Sequence, residues 1–285
     1  LSANLYDKAT GKPAYPQYSV SVVDGVRVGF IGAVTEALPE LVSAASLSTL
    51  DVKPVVAEVN RVANQLSDGD SLNGEADILV LLVHEGQSNT SCTDITDDSA
   101  LGKIVKGVNL NIDAIVDGHT HLKQECHVTT LPGRSFELPV IQAGEFGQAL
   151  GHISMSYDKV GAKLTAISSE ILPLTTSTGT PLYSKNAAVD KIVADAVAAA
   201  KIKGSVPVGS IAADFNLAVQ SDGKTVNRGG ESTIGNLVAD AQLWATAPSG
   251  AQIALMNPGG LRTDLRYTSS GAGDPDGNVT YAEAA

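Results

Sequence analysis

Ile78-Leu79-Val80-Leu81-Leu82-Val83-His84-Glu85-Gly86 and Ile112-Asp113-Ala114-Ile115-Val116-Asp117-Gly118-His119-Thr120-His121 are the two stretches on which the fold turns. Each is a short apolar run that stops at a polar turn containing glycine. Continuous apolar character over so few residues is the mark of a strand buried on both faces. Working outward, Val26-Arg27-Val28-Gly29-Phe30-Ile31 reads as a third such strand. Between the strands lie amphipathic helical stripes, one at Val55, Val59, Val62 and Leu66 with Pro54 at its first turn, another at Leu101, Ile104, Val105 and Val108. Strands alternating with helices predict a parallel sheet in an α/β fold.

Past His121 the pattern changes. Pro139 to Ala143, Leu150 to Tyr157 and Lys163 to Ile171 are strand-like with no helix between them, and an antiparallel extension of the sheet is expected. The Thr- and Ser-rich stretch from Pro173 to Pro181 reads as a linker, and the Ala-rich run Ala187 to Ala200 as a helix with Val189, Ile192, Val193, Ala196 and Val197 along one side. The domain boundary is placed near Leu174. Beyond it come a strand over Val208 to Ala212, a helix from about Ser232 to Trp244 and a strand over Ile253 to Met256.

The 285 residues carry 19 Lys and Arg against 31 Asp and Glu, a formal charge of −12. Such a balance repels nucleic-acid backbones and anionic membranes, so a phosphate-bearing ligand must be held by a local constellation. The longest purely apolar run, Ile78 to Val83, is far short of the ~20 residues that cross a bilayer. Neither end carries a leader or a capping tail, and both are read as truncations. The two cysteines, Cys92 and Cys126, sit in stretches that look like loops, and an even pair in an extracytoplasmic protein is expected to close as a disulfide.

Two of the strands end in histidine. Ligands of a parallel sheet gather beyond the carboxyl ends of its strands, and neutral imidazole is the common nitrogen ligand of divalent transition metals. A single histidine there is more often an ordinary loop residue. Three of only five at two strand ends, two of them spaced His-x-His, favour a metal site made of His84, His119 and His121. His152 alternates with Ile153, Met155 and Tyr157 and is expected to face solvent. A small zinc site of His121, Cys126 and His127 is the weaker alternative, since a fourth ligand is not evident.

A second constellation begins at Arg228-Gly229-Gly230-Glu231-Ser232, ahead of a helix with the stripe Ile234, Leu237, Val238 and Ala241. A helix start beside an arginine suits an anion. Downstream, Asn257-Pro258-Gly259-Gly260-Leu261-Arg262 joins an amide that can meet a heterocycle edge, two glycines that allow close backbone approach, and a guanidinium fork for phosphate. An ordinary Pro-Gly-Gly turn with a surface arginine is the competing reading.

Taken together, Leu82 to Gly86, Asp117 to His121, the run Arg228 to Ala241 and Asn257 to Arg262 resemble the 5′-nucleotidase family in order and spacing. The likeness runs from Ser2-Ala3-Asn4 and Gly29-Phe30-Ile31-Gly32 to Val279-Thr280-Tyr281. It implies the C-terminal half of a metallophosphoesterase αββα sandwich over 1–174, a linker with a helix over 175–204, and the first part of an α+β nucleotidase C-terminal domain over 205–285. It implies two divalent ions of unknown identity (Zn, Mn, Co, Ca or Mg), a nucleotide substrate and a place outside the cytoplasm.

Residue by residue, His84 and His119 resemble metal ligands, and His121 stands where the family puts a ligand of the other ion. Arg228 and Arg262 resemble phosphate-holding arginines, Asn257 resembles a nucleoside contact, and Gly259 and Gly260 share its turn. Glu231, Gly235, Asn236 and Asp240 are expected to be structural. The family's opening Asp-x-His, central Asp, Gly-Asn-His-Glu-like loop with the catalytic His, and late aromatic pair have no counterpart in these 285 residues, so no catalytic acid or base is assigned. The implied activity is hydrolysis of nucleotide phosphomonoesters by two-metal chemistry, with this chain alone expected to be inactive. Related activities (cyclic phosphodiester, nucleotide-sugar or sulfur-compound hydrolysis) and binding without turnover remain open, as does the oligomeric state.

Overall fold

A computed structural model describes residues 1–129, 131–271 and 274–285. In chain order the first compact unit, Leu1–Ser184, contains β1 (Leu5–Asp7), β2 (Tyr18–Val23), β3 (Val26–Val34), α1 (Leu38–Leu41), β4 (Leu50–Val52), α2 (Val55–Gln65), β5 (Ile78–His84), α3 (Ala100–Gly107), β6 (Ala114–Val116), β7 (Lys123–Val128), β8 (Leu138–Ala143), β9 (Ala149–Asp158) and β10 (Lys163–Pro173). The second unit, Lys185–Ala285, contains α4 (Ala187–Gly204), β11 (Pro207–Ser210), α5 (Thr233–Thr246), β12 (Asn278–Thr280) and α6 (Tyr281–Ala284). The fold is mixed α/β, as the alternation of strands and helices predicts.

Six strands form the main sheet in the order β2-β3-β5-β6-β8-β7. β3, β5, β6 and β8 are parallel neighbours, and β2 and β7 close the two edges antiparallel. The apolar run of β5 is explained by its position, because successive side chains point to opposite faces and both faces are covered. Leu79 and Leu81 join the cluster that includes Val55, Val59 and Val62 of α2 and Leu101, Ile104 and Val105 of α3. Ile78 and Val80 face the other way, onto Ile153, Met155, Tyr157, Leu164 and Ile167. Burying a side chain such as Leu81 contributes about 1.5–3 kcal/mol, and truncation to alanine would cost about 2–5 kcal/mol.

The antiparallel extension expected after β6 takes a different form. β8 joins the sheet parallel to β6, whereas β9 and β10, among the described residues, pair only with each other and form a two-stranded layer on the second face. The turn that lifts the chain off the sheet has left-handed backbone at Gly144, Phe146 and Gly147. Cys126 also corrects an expectation. It lies in β7, is 1% exposed, and is bonded to Cys92. A polar alternation of Lys123, Glu125 and His127 with buried Gln124, Cys126 and Val128 disguises this edge strand in the sequence.

Residues 175–184 fold back on the first unit, with Thr175 bridging Pro181 and the Leu182 N–H donating to the Leu174 carbonyl. In the second unit the Asn186 side chain caps α4, accepting from the Ala188 and Val189 N–H groups. α4 has no buried residue, so its apolar stripe stays exposed. The strand expected at Ile253 to Met256 is not formed. Among the described residues no strand pairs with it, and Ile253 and Leu255 are exposed. A small core of Ile234, Leu265 and Val279 holds α5, the Phe215–Leu265 bridge and the β11–β12 ladder together.

Candidate metal and phosphate sites

The carboxyl ends of β5 and β6 are brought side by side by a parallel register in which Leu82 faces Val116. Two residues beyond that pair, the chains turn at His84 and at Gly118-His119. The turns interlock. The Gly118 N–H donates to the Glu85 carbonyl at 3.1 Å, and a Cβ at Gly86 would collide with the Gly118 carbonyl and the Thr120 hydroxyl. Glu85 ties the same turn to the end of β3, its Oε2 accepting from the Thr35 hydroxyl at 2.7 Å.

This packing sets His84 Nε2 3.3 Å from His119 Nδ1, with the rings edge to face at 5.0 Å between centroids. Two nitrogens at 2.0–2.1 Å from one tetrahedral ion stand about 3.3–3.4 Å apart, so the pair fits two corners of a zinc-like site. The His84 pKa is lowered, first by burial and then by the neighbouring His119, with Glu85 opposing and His121 adding. The neutral imidazole that a metal requires is therefore favoured there. His119 has φ 74° and His121 φ 62°, a left-handed backbone that costs a non-glycine residue about 1–2 kcal/mol. Strain of this kind persists only where the surroundings enforce it.

His121 does not join the pair at bonding distance. Its Nδ1 lies 2.5 Å from Glu145 Oε2, and its ring is edge-on to Phe146. Among the described residues no three His, Cys, Asp or Glu side chains converge closely enough to hold an ion. The alternative site of His121, Cys126 and His127 is ruled out, because Cys126 is oxidised and His127 lies between Glu125 and Glu137. His152 is exposed as expected, paired with Glu170 at 3.0 Å.

Two residues under the loop escape a reading based on histidines. Asp117 is buried, its pKa pushed up to about 7 by desolvation against the Gln142 hydrogen bond. Its Oδ2 accepts from Gln142 Nε2 at 3.0 Å, while Oδ1 has no partner among the described residues. Asp117 stands inside the motif already noted, so the signal was present. Gln142 gives none except a polar residue in an apolar strand.

In the second unit, the Ser232 hydroxyl caps α5 by accepting from the Gly235 N–H at 3.1 Å. A Cβ on Gly235 would touch Leu261, so the first turn of α5 lies against the 257–262 loop. Asn257 Oδ1 accepts from the Gly259 N–H at 3.0 Å and starts the Pro258–Gly260 turn, which leaves its Nδ2 with no partner among the described residues. Arg228 and Arg262 are exposed, and no carboxylate lies within ion-pair distance of either among the described residues. Arg266 differs, bound by Asp214 and Asp264. Glu231 accepts from Asn236 Nδ2 at 2.9 Å, a contact within the turn.

Residues 207–285 match the family described as 5′-nucleotidase, C-terminal domain. Over 284 residues the chain is 29% identical to Endonuclease YhcR of Bacillus subtilis, covering 98% of this chain and 21% of that protein. It is 24% identical to a 5′-nucleotidase of Vibrio parahaemolyticus, covering 99% of this chain and 53% of the relative. A 5′-nucleotidase precursor from Thermus thermophilus shares the fold with a TM-score of 0.61 at 23% identity, over 99% of this chain and 51% of that one. The chain thus spans from about a fifth to about half the length of these relatives. Residues 207–285 thus match a 5′-nucleotidase C-terminal domain, and the chain along its whole length is similar to proteins named 5′-nucleotidase.

Proposed function

We propose that this chain forms part of a secreted or cell-surface hydrolase of nucleotide phosphomonoesters, and that His84 and His119 bind one of its divalent ions. The convergence of His84 Nε2 and His119 Nδ1 at 3.3 Å carries the reading. Ions bound there would supply charge neutralisation and an ionised water near neutral pH. The residues of this chain bind and orient. His119 and His84 present their ring nitrogens, Arg228 and Arg262 hold the phosphate, Asn257 meets the nucleoside edge, and Gly259 and Gly260 let the ligand approach the backbone. The domain plan that goes with this reading is a metallophosphoesterase part over 1–174, a linker over 175–204 and a substrate-binding part over 205–285.

A mononucleotide suits the charge better than a polymer. One relative is named an endonuclease, yet a formal charge of −12 opposes a polyanionic chain, whereas a single phosphate can be held by a local pair of arginines. The disulfide supports an oxidising compartment, and no helix among the described residues is long and apolar enough to cross a membrane.

Titration of the chain with AMP and with methyl phosphate tests the assignment. Arg262→Lys should weaken both ligands about tenfold, because a point charge does not reproduce a bidentate fork. Asn257→Ala should weaken AMP alone. Equal losses on both ligands from the Asn257 change would remove the nucleoside role, and no AMP binding by the unaltered chain would remove the phosphate role.

A further inference from the structure

Gln142 is 2% exposed, in a β8 run whose neighbours Val140 and Ile141 are apolar. A buried amide in such a strand is costly unless all its groups are paired, and its near neighbours lie between Asp117 and Leu122. Nε2 donates to Asp117 Oδ2 at 3.0 Å, and Oε1 accepts from the Leu122 N–H at 3.1 Å. The Thr120 hydroxyl lies 3.1 Å from Nε2 and 3.3 Å from Oε1. Only one orientation of the amide serves both ends, since the carboxylate needs a donor and the backbone N–H needs an acceptor. Gln142 therefore bonds to both ends of the loop that carries His119 and His121, and to its middle. Those two histidines have left-handed backbone, which the loop would relax if its ends were released.

We propose that Gln142 is a positioning residue: by clamping Asp117, Thr120 and Leu122 it aims the His119 imidazole at His84 and so sets the metal affinity of that pair. This rests on the reading of His84 and His119 as a metal-binding pair. A buried partner of this kind acts as the outer-shell groups of metal sites do, where loss costs about 10- to 100-fold in affinity.

The test is a Co²⁺ titration of the whole chain, followed by its visible absorption, beside ¹H–¹⁵N spectra of the histidine rings without metal. Gln142→Glu keeps an acceptor for Leu122 and loses the donor for Asp117, while Gln142→Leu loses both. Both should shift the His119 ring resonances in the metal-free chain and weaken Co²⁺ about 10- to 100-fold, with near-UV circular dichroism retained. Lower thermal stability with unchanged His119 resonances and unchanged Co²⁺ affinity would overturn the proposal. His84→Ala is the control for the underlying reading. If the unaltered chain binds no Co²⁺, or His84→Ala binds it equally well, the metal reading falls and with it the affinity part of the proposal. The ring spectra then still decide whether Gln142 aims His119. Should neither Gln142 variant fold, hydrogen exchange of the unaltered chain decides. A slowly exchanging Leu122 amide is expected, and exchange as fast as that of an exposed loop would overturn the clamp.

Discussion

His84 Nε2 and His119 Nδ1 stand 3.3 Å apart, two and three residues beyond the directly paired Leu82 and Val116 of neighbouring parallel strands. The parallel register of β5 and β6 brings the turns that carry these two imidazoles side by side. Either His84→Ala or His119→Ala should reduce Zn²⁺ or Co²⁺ affinity at least about tenfold, since a single imidazole holds a divalent ion weakly. His152→Ala, on an exposed hairpin face, should leave it unchanged. Isothermal titration of the four proteins checks this, and equal affinities throughout would refute the pair.

Gly86→Ala should destabilise the first unit by about 1–3 kcal/mol, the usual cost of forcing a methyl group into filled space. The added Cβ meets the Gly118 carbonyl and the Thr120 hydroxyl, and the carbonyl is backbone that cannot rotate away. The loss should be accompanied by weaker metal binding, because the displaced turn carries His119. A urea midpoint unchanged from that of the unaltered chain would show that the two turns are not in contact.

Asp113 predicts a pH dependence opposite to that of most carboxylates. Burial lifts its pKa from 3.8 to about 6, against the Leu79 N–H bond and the Arg134 charge. Below pH about 4 both folded and unfolded chains hold the proton. Between about 4 and about 6 the folded chain keeps a proton that the unfolded chain has released, so stability falls as pH rises, by at most about 3 kcal/mol, and is level again above. Asp113→Asn keeps an acceptor for Leu79 and cannot ionise, and should flatten that slope. Asp117, raised from 3.8 to about 7, adds a slope of the same sign from pH about 4 to about 7, so some fall will remain. Urea unfolding of both proteins between pH 4 and 7 measures the difference.

Reducing the Cys92–Cys126 bond should destabilise the first unit by about 2–4 kcal/mol, for the 34-residue separation it closes is lost as a constraint on the unfolded chain. Intact mass with and without reductant, with alkylation, reads the bond itself. Thiols that alkylate without prior reduction would show that it is not formed.

Much of this could be read from residue patterns alone. The alternation of apolar strands with amphipathic helices through residue 116 specified the parallel sheet, and Ser232, read as standing at a helix start, caps α5. The hairpin of β9 and β10 was less legible. Their alternation marks strands, but whether a strand joins a sheet or lies across it depends on the turn before it, and that turn takes left-handed backbone at Phe146, a residue that carries no such signal. Ile253 to Met256 failed for a related reason, since a strand forms only against a partner.

By itself the sequence determined which residues are candidates: His84, His119 and His121 by their places at strand ends, and Arg228, Asn257 and Arg262 by the turns that carry them. Only the tertiary structure decided that His84 and His119 converge while His121 turns to Glu145, and that Gln142 lies beneath the loop. Local pattern reports a side chain's type and its face on a strand, both properties of a few neighbouring residues. Convergence depends on the register between strands 35 residues apart in the chain, and that register is set by packing over the whole sheet.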